Sequence, residues 1–285
     1  HMDEVFRNVT CDTGGCDNGG VDKISPKISS GQALEVQGST LLSDVWTICR
    51  RELIGYFSTP IAYVFIVIFL SALGALTFFL GNFFVQGQAA LEGFFQFHPW
   101  LYLFLIPAIA MRLWAEERAS GSIELLLTLP VTTLSVVLGK FFAAWAVIGV
   151  GLLLTATIWI SVNYLGSPDN GAIAAGYLGS FFMAGGYLAI GTFVSAMTKN
   201  QVIAFIIAAT LCFLFTVSGL SIVLEFFSGW ASPLVLETVA NFSFLKHFRD
   251  FTRGVVDLRD AMFFISTIIF FLFANVVAVE HRKAD

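Results

Sequence analysis

Charged residues vanish from this chain in six long stretches. Residues 61–80, 93–111, 141–162, 172–197, 202–224 and 261–279 contain no Asp, Glu, Lys or Arg. Each is close to the length that a helix needs to cross about 30 Å of hydrocarbon. The pattern therefore predicts an all-α polytopic membrane protein with six transmembrane helices. Ser58, Thr59 and Pro60 mark the start of the first, with proline in the first turn, where its missing N–H is not needed. Pro99 and Pro107 interrupt the second, which membrane helices tolerate when neighbouring groups restore the lost hydrogen bonds.

Ahead of the first span the pattern changes to an amphipathic one. Leu42, Val45, Trp46, Cys49, Leu53, Tyr56 and Phe57 recur at helical spacing, opposite Ser43, Asp44, Thr47, Arg50 and Arg51. This stretch is too polar to span, and a Trp beside paired arginines suits an N-terminal helix lying in the headgroup layer. Residues 1–40 are rich in Gly, Ser and Asp and lack apolar periodicity. They are expected to be a disordered or expression-derived extension, leaving 41–285 as the six-span domain.

Composition sharpens this picture. With 57% apolar and 12% charged residues and a mean hydropathy of +0.82, a water-soluble fold is excluded. The net charge of −5 sums over loops on both sides of a bilayer. No basic patch of the nucleic-acid type occurs, so membrane lipid is an expected partner and nucleic acid is not. The placement of positive charge says more. Arg50 and Arg51 precede the first span, and Arg112, Arg118 and Lys140 separate the second from the third. Lys199 sits between the fourth and fifth, and Arg282 and Lys283 follow the sixth, while the loops after the first and third spans have no basic residue. By the positive-inside rule both termini are cytoplasmic. The loop 225–260 departs from the rule, with Lys246, Arg249, Arg253 and Arg259 on the outer side.

The residues that carry chemistry are sparse. Cys11 and Cys16 lie in the Gly-rich extension and Cys49 and Cys212 in apolar surroundings, which makes neither a disulfide framework nor a metal site. No nucleophile, base and orienter cluster near one bilayer face, so a membrane enzyme is disfavoured. Gly139-Lys140 lacks the upstream glycine and following hydroxyl of a phosphate-cradling loop. Ion-coupled carriers normally need charge at membrane depth, and these spans have none, so any energy for transport must come from elsewhere. On the fourth span Gly176, Ser180, Ala184, Gly191 and Ser195 form a small-residue face, which predicts close helix contact within the molecule.

Two segments stand out. In 112–130, Glu116, Glu117 and Arg118 offer a charged face, Gly121 permits a chain reversal, and Ile123, Leu126 and Leu127 form an apolar stripe ending before Pro130. That suits a short cytoplasmic helix presenting charge to a soluble partner, or equally a solvated loop helix. In 244–255, Phe244, Phe248, Phe251 and Val255 share a helical stripe and Gly254 favours a bend. That predicts a helix dipping into the outer leaflet.

The first of these closely resembles the signature of type-2 ABC exporter permeases. Glu116, Glu117, Arg118, Gly121, Ser122, Glu124, Leu126, Leu127, Thr128 and Pro130 match it, with Ser122 where Thr is commoner. The resemblance extends over 41–285, and the stretch 246–260 is most like the gliding-motility-associated branch. It implies the permease subunit of an ATP-driven exporter in a bacterial cytoplasmic (inner) membrane. ATP and Mg would be held by a separate ABC ATP-binding subunit, with no cofactor in this chain. Glu116, Glu117, Arg118, Gly121, Ser122 and Glu124 would form the coupling helix docking on that ATPase. Phe248, Phe251 and Gly254 would belong to short re-entrant helices gating the exit. A second permease copy, as a homodimer or with a homologous permease, is implied, and an auxiliary membrane subunit with a periplasmic domain is suggested by the branch. The competing function is a non-transporting assembly or anchoring protein that docks a cytoplasmic partner.

Overall fold

The structure, a computed structural model, describes residues 30–81, 83, 91–121, 131–228 and 232–281. Residues up to Gly38 group apart from Ser39–Asp285, and every contact below lies within the second group. Among the described residues all regular structure is helical: α1 (Ser30–Ser58), α2 (Pro60–Ala75, extended by a π-helical turn Leu76–Leu80), α3 (Glu92–Phe95), α4 (His98–Ser120), α5 (Thr133–Leu154), α6 (Ala156–Leu165), α7 (Asn170–Met197), α8 (Gln201–Val217), α9 (Ser221–Ser228), α10 (Pro233–Asn241), α11 (Phe244–Thr252) and α12 (Leu258–His281). Among the described residues five helical stretches are long and apolar enough to cross a membrane: Pro60–Leu80, Glu92–Ala119, Thr133–Leu165, Asn170–Met197 and Leu258–His281. The protein is an all-α polytopic membrane protein.

Three predicted spans take different bounds. Pro99 lies at the start of α4 rather than inside a helix, and only Pro107 is internal. The third span begins earlier than 141, so that Lys140 sits within α5. The fifth, expected over 202–224, ends at Val217 after 17 residues, about 25 Å of helix. The cause is local. Ser243 donates to the Thr216 carbonyl at 3.2 Å, an acceptor that a continuing helix would use for Leu220. A Cβ at Gly219 would meet that of Ser243 at 2.5 Å, so the chain turns there and resumes as α9.

The centre of the molecule is α7, which packs against α4, α5, α8, α11 and α12. Its N-terminus is fixed by Asp169, whose carboxylate accepts from the Gly171 and Ala172 amides. Its small residues explain the company it keeps. Added Cβ atoms at Gly176, Gly179, Gly185 and Gly191 would fall 2.5–2.9 Å from Phe95, Phe251, Ile268 and Ala110 respectively. Each neighbour thus rests directly on the α7 backbone. Polar contacts fix the register. Tyr102 and Ser180 share a 2.8 Å hydrogen bond, Tyr187 and Thr216 one of 2.5 Å, and the Trp145 indole donates to the Phe181 carbonyl at 3.0 Å. His98 is buried among Phe69, Phe94, Phe95 and Tyr102.

This arrangement makes opposite demands on two helix glycines. Gly191→Val pushes its side chain onto the Ala110 Cβ of α4, which has no freedom to turn away, and overpacking of this kind destabilises by about 1–3 kcal/mol. Gly74 has nothing within 4 Å of an added Cβ, so Gly74→Ala should be neutral or stabilising, by up to about 1 kcal/mol. Thermal unfolding of the two variants in the same detergent should move in opposite directions or leave Gly74→Ala unmoved. Equal losses would contradict the packing.

Candidate functional site

The charged end of the bundle is assembled by α1. Its amphipathic face buries Ile48 and Cys49, and Ile48 comes so close to α5 that a Cβ at Gly139 would lie 2.7 Å from its Cγ2. One turn further along α1, Glu52 is thereby delivered to Lys140. The Lys140 ammonium lies 3.3 Å from Glu52 Oε1 and 2.6 Å from Glu117 Oε1. Its stem crosses the Trp114 indole, with the ammonium 5.5 Å from the ring centroid. The Lys140 side chain is 3% exposed and the two carboxylates 20% and 24%. One buried cation therefore ties together α1, α4 and α5.

Burial works against the charge on Glu52, but Lys140 and Arg51 overcome it and hold its carboxyl below the ordinary range. A carboxyl shifted this way stabilises the fold above its ordinary pKa, and that contribution is lost as pH falls through the lowered value. Next to this cluster Arg112 donates two hydrogen bonds to Glu116, at 2.7 and 2.9 Å, one turn apart on α4. A cavity of about 350 Å³ opens between them, lined by Glu52, Tyr56, Thr59, Arg112, Glu116 and Lys140 among others.

The last turns of α4 are held from the other side by α7. The Ser195 hydroxyl donates to the Met111 carbonyl at 2.9 Å and accepts from the Ala115 amide at 3.1 Å. These are the two groups that bond one another in a regular helix, so the hydroxyl grips α4 at one rung of its backbone ladder. It also accepts from the Trp114 amide at 3.2 Å. Glu116 and Glu117 follow immediately.

The residues 112–120 continue α4 as one helix with the second span; they do not begin a separate surface helix. The reason is that Leu113, Trp114 and Ala115 are buried in the bundle, leaving no break at the span's end. Glu116 and Glu117 are both engaged within the chain, by Arg112 and Lys140, and Arg118 is half-buried on the same turn. Gly121 ends α4 in the left-handed conformation at φ 73°, which glycine adopts without strain. Ser122 and Glu124 lie outside the described residues.

At the opposite end, Phe244, His247, Phe248 and Phe251 are buried along one face of α11. Phe251 rests on Gly179, Phe244 on Gly186, and His247 stacks on Phe263 at 4.0 Å. That stripe is thus packed against the bundle, and Val255 is exposed, off the stripe. Gly254, at φ 82°, turns the chain against Ala172 at the start of α7. Two contacts were not legible in the sequence. His247 Nδ1 lies 2.6 Å from Asp260 Oδ1, and its Nε2 2.9 Å from the Asn241 carbonyl, which pins α11 to both α10 and α12. Lys140 was equally hidden, since a lysine flanking a span reads as a topology marker. The one signal available was Gly139 beside it, marking a close helix approach.

Comparison with known proteins places this architecture. The family model described as ABC-2 family transporter protein matches residues 57–255, from the end of α1 through α11. No curated protein matches the chain. With the match covering well over half its length, the chain belongs to the ABC-2 family of transporter proteins, as a permease component of an ABC transporter.

Proposed function

We propose that the chain is the membrane subunit of an ATP-driven exporter and that the α4 terminus with the segment following it is where a separate ABC ATP-binding subunit engages. ATP and Mg bind in that partner. The observation that carries this reading is the three-way junction at Lys140. A push on the end of α4 acts through Lys140 on α1 and α5 as well. Ser195 extends the same connection to α7. The match between the sequence 116–130 and the exporter signature supports Glu116, Glu117, Arg118, Gly121, Ser122 and Glu124 as the coupling residues, with Glu117 holding the segment to the bundle. Phe248, Phe251 and Gly254 are proposed as parts of the exit side, α11 being the element that must move away from α7 for a path to open there. The positive-inside pattern supports both termini on the cytoplasmic side of a bacterial inner membrane. The family's architecture supports a second permease copy, and the 246–260 stretch the gliding-motility-associated branch with its auxiliary subunit.

The purified chain alone should hydrolyse no ATP, and its conformation should respond to nucleotide only in complex with an ABC ATPase. Steady hydrolysis by the chain by itself, free of contaminants, would falsify the division of labour. An anchoring protein, by contrast, would bind a cytoplasmic partner and leave that partner's ATPase rate unchanged.

Lys140 separates coupling from stability. Lys140→Met leaves two half-buried carboxylates facing each other and should lower stability by about 1–3 kcal/mol. Adding Glu117→Met removes one of them and should restore much of the melting temperature, but not substrate-stimulated ATPase activity in the reconstituted complex. Glu116→Ala breaks only a part-exposed pair within one helix, worth roughly 0.3–0.5 kcal/mol, and should leave the melt nearly unchanged. Full coupling in the Lys140→Met, Glu117→Met double variant would remove the junction from the mechanism.

A further inference from the structure

The basic residues of 225–260 break the charge pattern of the other loops, and α11 shows how they are arranged. With its aromatic face buried, α11 turns Lys246, Arg249 and Arg253 outward, all three exposed. They stand at i, i+3 and i+7, on one side of the helix. Lys246 is engaged by the Asn241 side-chain carbonyl at 2.7 Å. Arg249 and Arg253 make no ion pair among the described residues. Both line a cavity of about 360 Å³ whose other walls include Trp100, Leu245, Phe248 and Gln96. Arg253 also lines a second cavity of about 280 Å³ against Asp169 and Ile173 at the start of α7. Glu92 borders both.

The position of these cavities defines what can fill them. They lie where α4 and α7 begin, beside Trp100, and the start of α7 is joined to α6 by the Trp159 indole, which donates to the Asn170 side-chain carbonyl at 2.7 Å; Tyr164 on the same helix is exposed. Trp and Tyr concentrate at this depth, where helices pass from hydrocarbon into headgroups. Two guanidiniums supply forked donors of the kind that match phosphate oxygens. Beside them Leu220, Leu245 and Phe248 supply an apolar wall. A cation pair over an apolar wall at the headgroup level matches one chemistry.

We infer that Arg249 and Arg253, with Trp100 and the apolar wall beneath them, bind the phosphate headgroup and upper acyl chain of an anionic lipid. The site is at the opposite end of α4 from Lys140 and needs no nucleotide. Loss of lipid binding and loss of ATPase coupling are therefore separate results, and the inference stands or falls apart from the coupling role.

The test uses the full chain in a neutral detergent, with short-chain phosphatidylglycerol, short-chain phosphatidylcholine and inorganic phosphate as probes. Phosphatidylglycerol should bind more tightly than phosphatidylcholine, and the double variant Arg249→Gln, Arg253→Gln should weaken it by about tenfold or more at an unchanged melting temperature. Arg249→Lys with Arg253→Lys should recover only part of the affinity, because charge remains while the fork is lost. Trp100→Ala should weaken the lipid and leave phosphate as it was. Three results would overturn the assignment. One is that Lys246→Gln or Arg259→Gln acts as strongly as the arginine pair, pointing to diffuse charge. Inorganic phosphate could bind as tightly as the lipid, pointing to a free anion. A polyglutamate peptide could bind more tightly than phosphatidylglycerol in an arginine-dependent way, pointing to an acidic protein partner.

Discussion

Inside hydrocarbon, apolar helices gain nothing from leaving lipid for one another, so a bundle must be held by closeness of packing and by a few polar contacts. In this protein that requirement falls on α7. Its glycines would weaken an isolated helix in water by roughly 0.5–1 kcal/mol each. In the bundle each one becomes a seat: for Phe95, Phe251, Ile268 and Ala110. Aromatic rings, which supply the most dispersion contact per residue, are laid directly on backbone. The hydrogen bonds from Tyr102, Tyr187 and Trp145 then select one register among the many that a smooth face would accept. The other helices are positioned by reference to this one.

The charged end obeys a different logic. A buried ion pair seldom adds much net stability, because desolvation offsets the attraction; it constrains geometry instead. Lys140 shows why that is useful. Its stem fills the space over Trp114 while its ammonium serves carboxylates from two other helices. Neither carboxylate can move away without leaving the cation short of a partner in a site that water barely reaches. Ser195 adds a second attachment a turn earlier on α4. The terminus of α4 is consequently fixed to α1, α5 and α7 at nearly one level, and its displacement must be shared among them.

How much of this was legible in the sequence depends on the range of the interaction. The uncharged runs, the amphipathic α1, the small-residue face of α7 and the glycine turns at Gly121 and Gly254 follow from local periodicity and backbone preference. Apart from the fifth run, which breaks at Val217, and shifted bounds elsewhere, they appear in the structure as helices and turns at those places. What escaped depends on residues far apart in the chain: Lys140 with Glu52 across 88 positions, Ser195 with Met111 across 84. The early end of α8 is of the same kind, since Ser243 arrives from another element to take the Thr216 carbonyl. At the candidate site the charged residues were visible but their engagement was not. Glu116 and Glu117 look like one acidic face in the sequence, whereas the fold gives one to Arg112 on the same helix and the other to Lys140 across helices.

The two ends also differ in what holds them, and this bears on how a bundle of this kind can change shape. At the Lys140 junction the ionic contacts converge on one atom, so there they resist separation but allow the carboxylates to pivot about the ammonium, which has no fixed donor direction. At the α11 end the contacts are rings pressed on glycine backbone plus the His247 bridge between α10 and α12. Packing of that sort is either made or lost, because a displacement of even 1 Å forfeits much of the dispersion energy. A pivot at one end of α4 and α7 and an all-or-none seat at the other is a lever with two positions. Under the proposed coupling, small rotations imposed at the charged end would be tolerated there, while at the aromatic end they would accumulate until the α11 seat gave way as a unit. Bistable packing of this type is how sub-ångström shifts become discrete conformations.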